Sequence, residues 1–186
     1  ALDPFQLGAD ETGQRASMRL MTEEGMRNTI VGGSTGAGKT NFLRGLARQA
    51  VGTGSFIIVV IDLKSGGELL GPLLPITTIP AMNRRDATLA MRAVASLVQP
   101  GGGRGPAKRR GEDVWIPTPD RPAVLVICDE VRLLFGSEYG QLEAQTAGVE
   151  IATLGRSLGA AFAGGGQQIN ADAVPGTLFR GQMHNR

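Results

Sequence analysis

Apolar and polar positions change period several times along this 186-residue chain. Residues 56–62, FIIVVID, form an unbroken β-branched run that ends in an acid. Residues 123–130, AVLVICDE, repeat that pattern. Such runs predict strands buried on both faces. Between them, Phe42, Leu43, Leu46, Ala47 and Ala50 recur at helical spacing and predict a helix over 40–51. A second helix is predicted over 84–98, with Asp86 near its start, where a negative charge suits the helix dipole. Residues 140–159 read as a third helix, 27–33 (RNTIVGG) as a short strand, and 160–166 (AAFAGGG) as a strand weakened by glycine. Alternation around GADETG predicts a short hairpin within 4–20. Residues 99–122 are rich in Gly, Pro and Arg and read as a long exposed loop. Strands alternating with helices predict an α/β fold with a mostly parallel sheet flanked by helices.

Composition narrows the class. The length suits a single domain over 1–186, and 41% hydrophobic residues exclude a disordered chain. No apolar run reaches the length of a membrane span, and the first residues lack the basic and apolar regions of a signal peptide. A single cysteine, Cys128, excludes an intramolecular disulfide and fits a reducing, cytoplasmic setting. The net charge of +2 does not by itself point to a nucleic-acid partner. Lysine is scarce: Lys39, Lys64 and Lys108 are the only three.

The chemistry concentrates after the strand at 27–33. Gly33, Ser34, Thr35, Gly36, Ala37, Gly38, Lys39 and Thr40, followed by Asn41, fit the P-loop pattern G-x-x-x-x-G-K-[ST]. Its glycines let backbone N–H groups turn inward around phosphate oxygens, and the following helix adds its positive end. Lys39 is expected to reach the β- and γ-phosphates of ATP, and the Thr40 hydroxyl to ligate Mg²⁺. A chance match of this pattern has a frequency of about 1% at this chain's own residue frequencies. The second element is the strand ending in Asp129 and Glu130, which fits a Walker B element. Asp129 is expected to hold magnesium through water. Glu130 is expected to polarise the attacking water as general base, as in motor-type ATPases. Small P-loop kinases usually lack a glutamate there.

These residues together resemble the FtsK/SpoIIIE family of DNA-pumping ATPases, most of all its actinobacterial conjugative-transfer branch. LGADETG resembles the family's hairpin before the P-loop, and VIDLKSGGEL its I-D-x-K strand end, with Asp62 and Lys64 in place. VICDEVRLL resembles its Walker B element. GRSLGAAFAGGGQQINADAVPG resembles its R-x-x-G…Q…D…G element through Arg156, Gly159, Gln167, Asp172 and Gly176. Gln168 and Ile169 stand where Arg and Pro are usual. The resemblance implies a RecA-like P-loop NTPase core over about 26–186, preceded by a β-hairpin over about 1–25. It also implies that the core lacks its last strand, which would follow HNR at 184–186. It implies ATP hydrolysis with Mg²⁺, a hexameric ring, and double-stranded DNA moved through the pore in conjugative transfer or chromosome partition. Gln167 is implied as a γ-phosphate sensor. An arginine from the neighbouring subunit is also implied, with Arg84, Arg85, Arg104, Arg109 and Arg110 in the right region. Full-length relatives imply a cytoplasmic motor at the inner face of the membrane, anchored by segments absent from this chain.

Several alternatives stand beside this reading. A type VII secretion motor shares the fold and P-loop but moves protein. A small kinase is opposed by Glu130 and by the missing arginine-rich lid. A nucleotide-gated assembly module that scarcely hydrolyses is opposed by the intact Lys39, Thr40, Asp129 and Glu130 set. The basic run from Arg104 to Arg110 suits DNA phosphates, and its charge fits a solvated loop equally well. Lys64 could face the pore, the nucleotide or solvent. His184 and Trp115 read as structural.

Overall fold

The computed structural model describes residues 4–9, 11–105, 111–138, 141–167, 169–170 and 173–185. Its centre is a six-stranded sheet in which every neighbouring pair runs parallel. The strands are β5 (Asn28–Gly32), β6 (Phe56–Ile61), β7 (Ile79–Ala81), β8 (Ala123–Cys128), β9 (Ala160–Gly166) and β10 (Met183–Asn185). Their order across the sheet is β10-β5-β9-β8-β6-β7. Four shorter strands precede them: β1 (Phe5–Ala9) pairs with β2 (Arg15–Met18), and β3 (Met21–Thr22) with β4 (Gly25–Met26), both antiparallel. The N-terminal hairpin expected from the sequence is therefore present, with a second small hairpin after it.

Helices cover both faces of the sheet. They are α1 (Lys39–Gly52), α2 (Arg84–Val98), α3 (Val131–Phe135), α4 (Leu142–Leu158) and α5 (Gly176–Gly181), with a 3-10 turn over Gly71–Ile76. The β-branched runs alternate between two cores. Val59, Ile61, Val124, Val126 and Cys128 pack with α2, α3 and α4. Ile58, Val60, Leu125 and Ile127 pack with α1 and the N-terminal hairpins through Leu43, Leu46, Phe5 and Leu20. Each fully buried aliphatic side chain stabilises the fold by about 1.5–3 kcal/mol, so two opposed cores make β6 and β8 the sheet's axis.

The glycine-rich segment 160–166 is a central strand, between β5 and β8, and all of it is buried. The glycines at its end have a steric cause. A Cβ on Gly164 would stand 2.4 Å from Val131 Cγ1, and one on Gly165 would stand 2.8 Å from the Asp129 carbonyl oxygen. The strand is thin where the chain leaving β8 folds back over it.

Parts of the architecture depart from the sequence reading. Met183–Asn185 forms a strand beside β5 that the sequence reading did not include. The strands β3, β4 and β7, the 3-10 turn and the short helices α3 and α5 carry too few residues to show a period. Arg104 also needs correction as a DNA or neighbour-subunit arginine. It is 6% exposed, and its guanidinium donates to the carbonyls of Leu158 (2.8 Å), Gly159 (2.5 Å) and Pro122 (2.6 Å). It lies 4.4 Å from the Trp115 ring centre, with Arg121 4.3 Å from the same ring. Its donors are thus used inside the fold, closing α4 and the approach to β8. Burial first, then repulsion from Arg121, lowers its pKa to about 10, and it stays protonated at neutral pH. Lys108, Arg109 and Arg110 lie outside the described residues, as do Asp172 and Gln168.

Candidate functional site

The parallel sheet sends the loops after β5, β6, β8 and β9 to one edge, the C-terminal end where ligands of open α/β sheets bind. The register pairs Ile61 with Cys128 and Cys128 with Gly164, so Asp62 and Asp129 leave the sheet side by side, next to Gly165 of β9. The loop Gly33–Thr40 rises from β5 into α1. Gly36 (φ 81°) and Gly38 (φ 86°) take left-handed backbone that L side chains rarely adopt. Gly38 caps α1 without a side chain, leaving the first N–H groups of the helix to face the loop.

The predicted residues meet at this edge. Lys39, only 8% exposed, folds across its own loop and donates to the carbonyls of Gly33 (2.6 Å) and Ser34 (2.8 Å). The Thr40 hydroxyl donates to Asp129 Oδ1 at 2.9 Å. Glu130, next in the chain, precedes α3 and stands beside Gly166. Gln167, following β9, donates from Nε2 to Thr35 Oγ1 at 3.0 Å. Asn41 accepts from Arg44 at 3.0 Å. A cavity of about 250 Å³ opens here, lined by the loop together with Arg44, Lys64, Glu68 and Gln167. Three cations, Lys39, Arg44 and Lys64, line it with Glu68, and Asp129 and Glu130 stand against Lys64.

Two of those cations were not resolved from sequence. From sequence alone Lys64 suits pore, nucleotide or solvent; its ammonium lies 2.9 Å from Asp129 Oδ2 and 3.8 Å from Glu130 Oε2. Burial lowers its pKa, but the hydrogen bond and charge of Asp129, with Glu130 and Glu68, outweigh that and raise it overall. Arg44 sits four residues after Thr40, on the same helix face, and also donates to the Glu68 carbonyl. That spacing was the available signal. Asp62 has a different task. It is fully buried, and its carboxylate accepts from the backbone N–H groups of Lys64 (3.3 Å), Leu69 (2.9 Å) and Leu70 (3.0 Å), shaping the turn after β6.

The donor set fits magnesium. Thr40 Oγ1 and the Asp129 carboxylate are hard oxygen donors within hydrogen-bond distance of each other, and Asp129 already holds a cation, the Lys64 ammonium. Among the described residues no group of three or more His, Cys, Asp or Glu side chains converges as a metal cage, and magnesium seldom uses one.

Other features do not join the site. Arg156 pairs with Glu24 and holds the β3–β4 hairpin against α4. Cys128 is fully buried, and burial pushes its thiol pKa up, so it is not a nucleophile. A larger groove of about 650 Å³ runs between α2 and α4. Its charged groups already have partners: Arg92 pairs with Glu143, and the Glu150 carboxylate accepts from the Gln99 amide.

No family model matches the sequence, and no curated protein does. Solved structures do match. The conjugation coupling protein TcpA of pCW3, in its monomer form with ATPγS, is 17% identical with a TM-score of 0.69; the match covers 97% of this chain and 52% of that one. The cytoplasmic domain of EssC is 18% identical with a TM-score of 0.69, covering 99% of this chain and 36% of that one. The cytoplasmic domain of the type VII secretion ATPase EccC of Thermomonospora curvata is 22% identical with a TM-score of 0.63, covering 90% and 22%. The chain spans about half or less of each of these proteins. At these identities the likeness is one of fold, and the fold is one that this chain shares with a conjugation coupling protein and a type VII secretion ATPase.

Proposed function

We propose that this chain is the ATP-hydrolysing motor domain of a DNA translocase of FtsK/SpoIIIE type, with a RecA-like P-loop core. The observation that carries the reading is the Thr40–Asp129 contact of 2.9 Å, with Glu130 next in the chain and Lys39 on the adjoining loop. A phosphate loop, a magnesium-holding acid and a candidate base thus share one edge of a parallel sheet. In this reading Gly33–Asn41 cradle the phosphates of ATP through backbone N–H groups. Lys39 exchanges the carbonyls of Gly33 and Ser34 for β- and γ-phosphate oxygens. Thr40 and Asp129 hold the magnesium ion. The bound ion supplies charge neutralisation to the phosphate oxygens. Glu130 takes a proton from the attacking water. Gln167, held at Thr35, senses the γ-phosphate.

The motor would act as a hexameric ring, each site completed by an arginine of its neighbour, moving double-stranded DNA in conjugative transfer or chromosome partition. It would work in the cytoplasm beside the membrane, anchored by segments outside this chain. Among the described residues no helix is long and apolar enough to cross a membrane. The second reading, a type VII secretion motor that moves protein, is supported by the likeness in fold to the type VII secretion ATPase EccC. One experiment separates them: ATPase rate against protein concentration, with duplex DNA or with a secretion-signal peptide. Stimulation by DNA and a faster-than-linear rise with concentration are expected. Stimulation by the peptide alone would favour the protein motor. Full specific activity from a dilute monomer, indifferent to both, would contradict any ring motor.

A further inference from the structure

Lys64 holds both acids of the proposed site with one ammonium. It lies 2.9 Å from Asp129 Oδ2 and 3.8 Å from Glu130 Oε2. Among the described residues the Asp129 carboxylate is otherwise engaged by Thr40, through its other oxygen. A divalent ion drawn to Asp129 would meet a positive charge already seated there, and like charges this close compete. The two partners differ in their freedom to move. The Asp129 side chain is 1% exposed, whereas that of Lys64 is 31% exposed. The backbone around Lys64 is built for a local change. Asp62 ties the chain at Lys64, Leu69 and Leu70, and the span between holds Gly66 and Gly67, the latter with a positive φ of 60°. Ser65, Gly66 and Glu68 are exposed.

We propose that Lys64 is a displaceable counter-ion of the Asp129–Glu130 pair, which magnesium and nucleotide must expel to bring the site into its working state. Lys64 is thus a positioning residue. While it is seated, it occupies the acid meant for the metal and draws Glu130 away from acting as a base. Its release frees both acids together and moves the exposed 65–68 turn, so the turn reports whether the site is loaded. The inference rests on the nucleotide-site reading above.

Two measurements test it. The first is the magnesium dependence of binding of a fluorescent ADP analogue by the wild-type chain, Lys64→Met and Lys64→Arg. Removing the competing charge should lower half-saturating magnesium by at least about fivefold, the lower bound for one charge near 4 Å in water-like screening. Lys64→Arg should stay near wild type. An unchanged or higher magnesium requirement in Lys64→Met would overturn the proposal. The second uses the wild-type chain only, in case Lys64→Met folds poorly. Amine-reactive labelling is followed by mass spectrometry, with only three lysines to resolve. Mg·ADP should protect Lys39 and speed labelling of Lys64. Protection of Lys39 with Lys64 unchanged or slower would overturn the proposal alone. Lys39 left unprotected would remove the nucleotide-site reading and this inference with it.

Discussion

Lys39 is charged and 8% exposed, and its ammonium donates to carbonyls of its own loop. Hydrogen bonds from a charged donor contribute about 1.5–3 kcal/mol each when well buried, and these sit at the rim of a cavity. Lys39→Ala should therefore keep the fold with a modest loss of stability while losing ATP binding. Isothermal titration beside a denaturant curve checks both, and retained ATP affinity would show that the loop is not the nucleotide site. His184 gives a pH prediction. Burial first, then the charges of Arg156 and Arg27, lower its pKa in the fold. The unfolded chain then binds the proton more readily as pH falls below about 6.5. The contribution is complete above that value and is lost as pH falls through the folded pKa. Denaturation midpoints should decline from pH ~7.5 to ~5.5 in the wild type, and less in His184→Gln. The chain has one histidine, so few other groups titrate in that window. Equal slopes in both proteins would contradict this.

At the scale of elements, the strands β6 and β8 and the helices α1, α2 and α4 were readable because each is long enough for its period to show. The acids at the ends of β6 and β8 and the loop at 33–40 were readable because their residue types are tied to phosphate and metal chemistry at fixed spacing. The central place of β9 was not. AAFAGGG looks weak alone, and only the chain folding back from Asp129 to Val131 explains why side chains are excluded there. Gly164→Val should cost about 1–3 kcal/mol or more through overpacking against Val131 and Phe162. A denaturant midpoint equal to that of wild type would refute the steric account. Arg104 was misread for a related reason: composition marks 99–122 as solvated loop, but the partners that bury this arginine lie on α4 and beside β8. Arg104→Ala should destabilise the fold, whereas charge removal at Lys108, Arg109 and Arg110 tests DNA binding without that complication. If Arg104→Ala keeps wild-type stability and loses salt-sensitive DNA binding, Arg104 is a contact residue after all.

For the whole molecule, two cores on opposite sides of one parallel sheet hold four strand ends in register, and the candidate chemistry sits on those ends. The central claim is that this edge binds and hydrolyses ATP, with Glu130 as the base. The most direct measurement is ATP binding and steady-state hydrolysis by the wild-type chain and Glu130→Gln, at matched protein concentrations with magnesium. The account predicts similar ATP affinity for the two proteins and a turnover about 10²–10⁴-fold lower in Glu130→Gln, because the swap keeps the shape and removes the base. Hydrolysis by Glu130→Gln at the wild-type rate, with affinity unchanged, would contradict it.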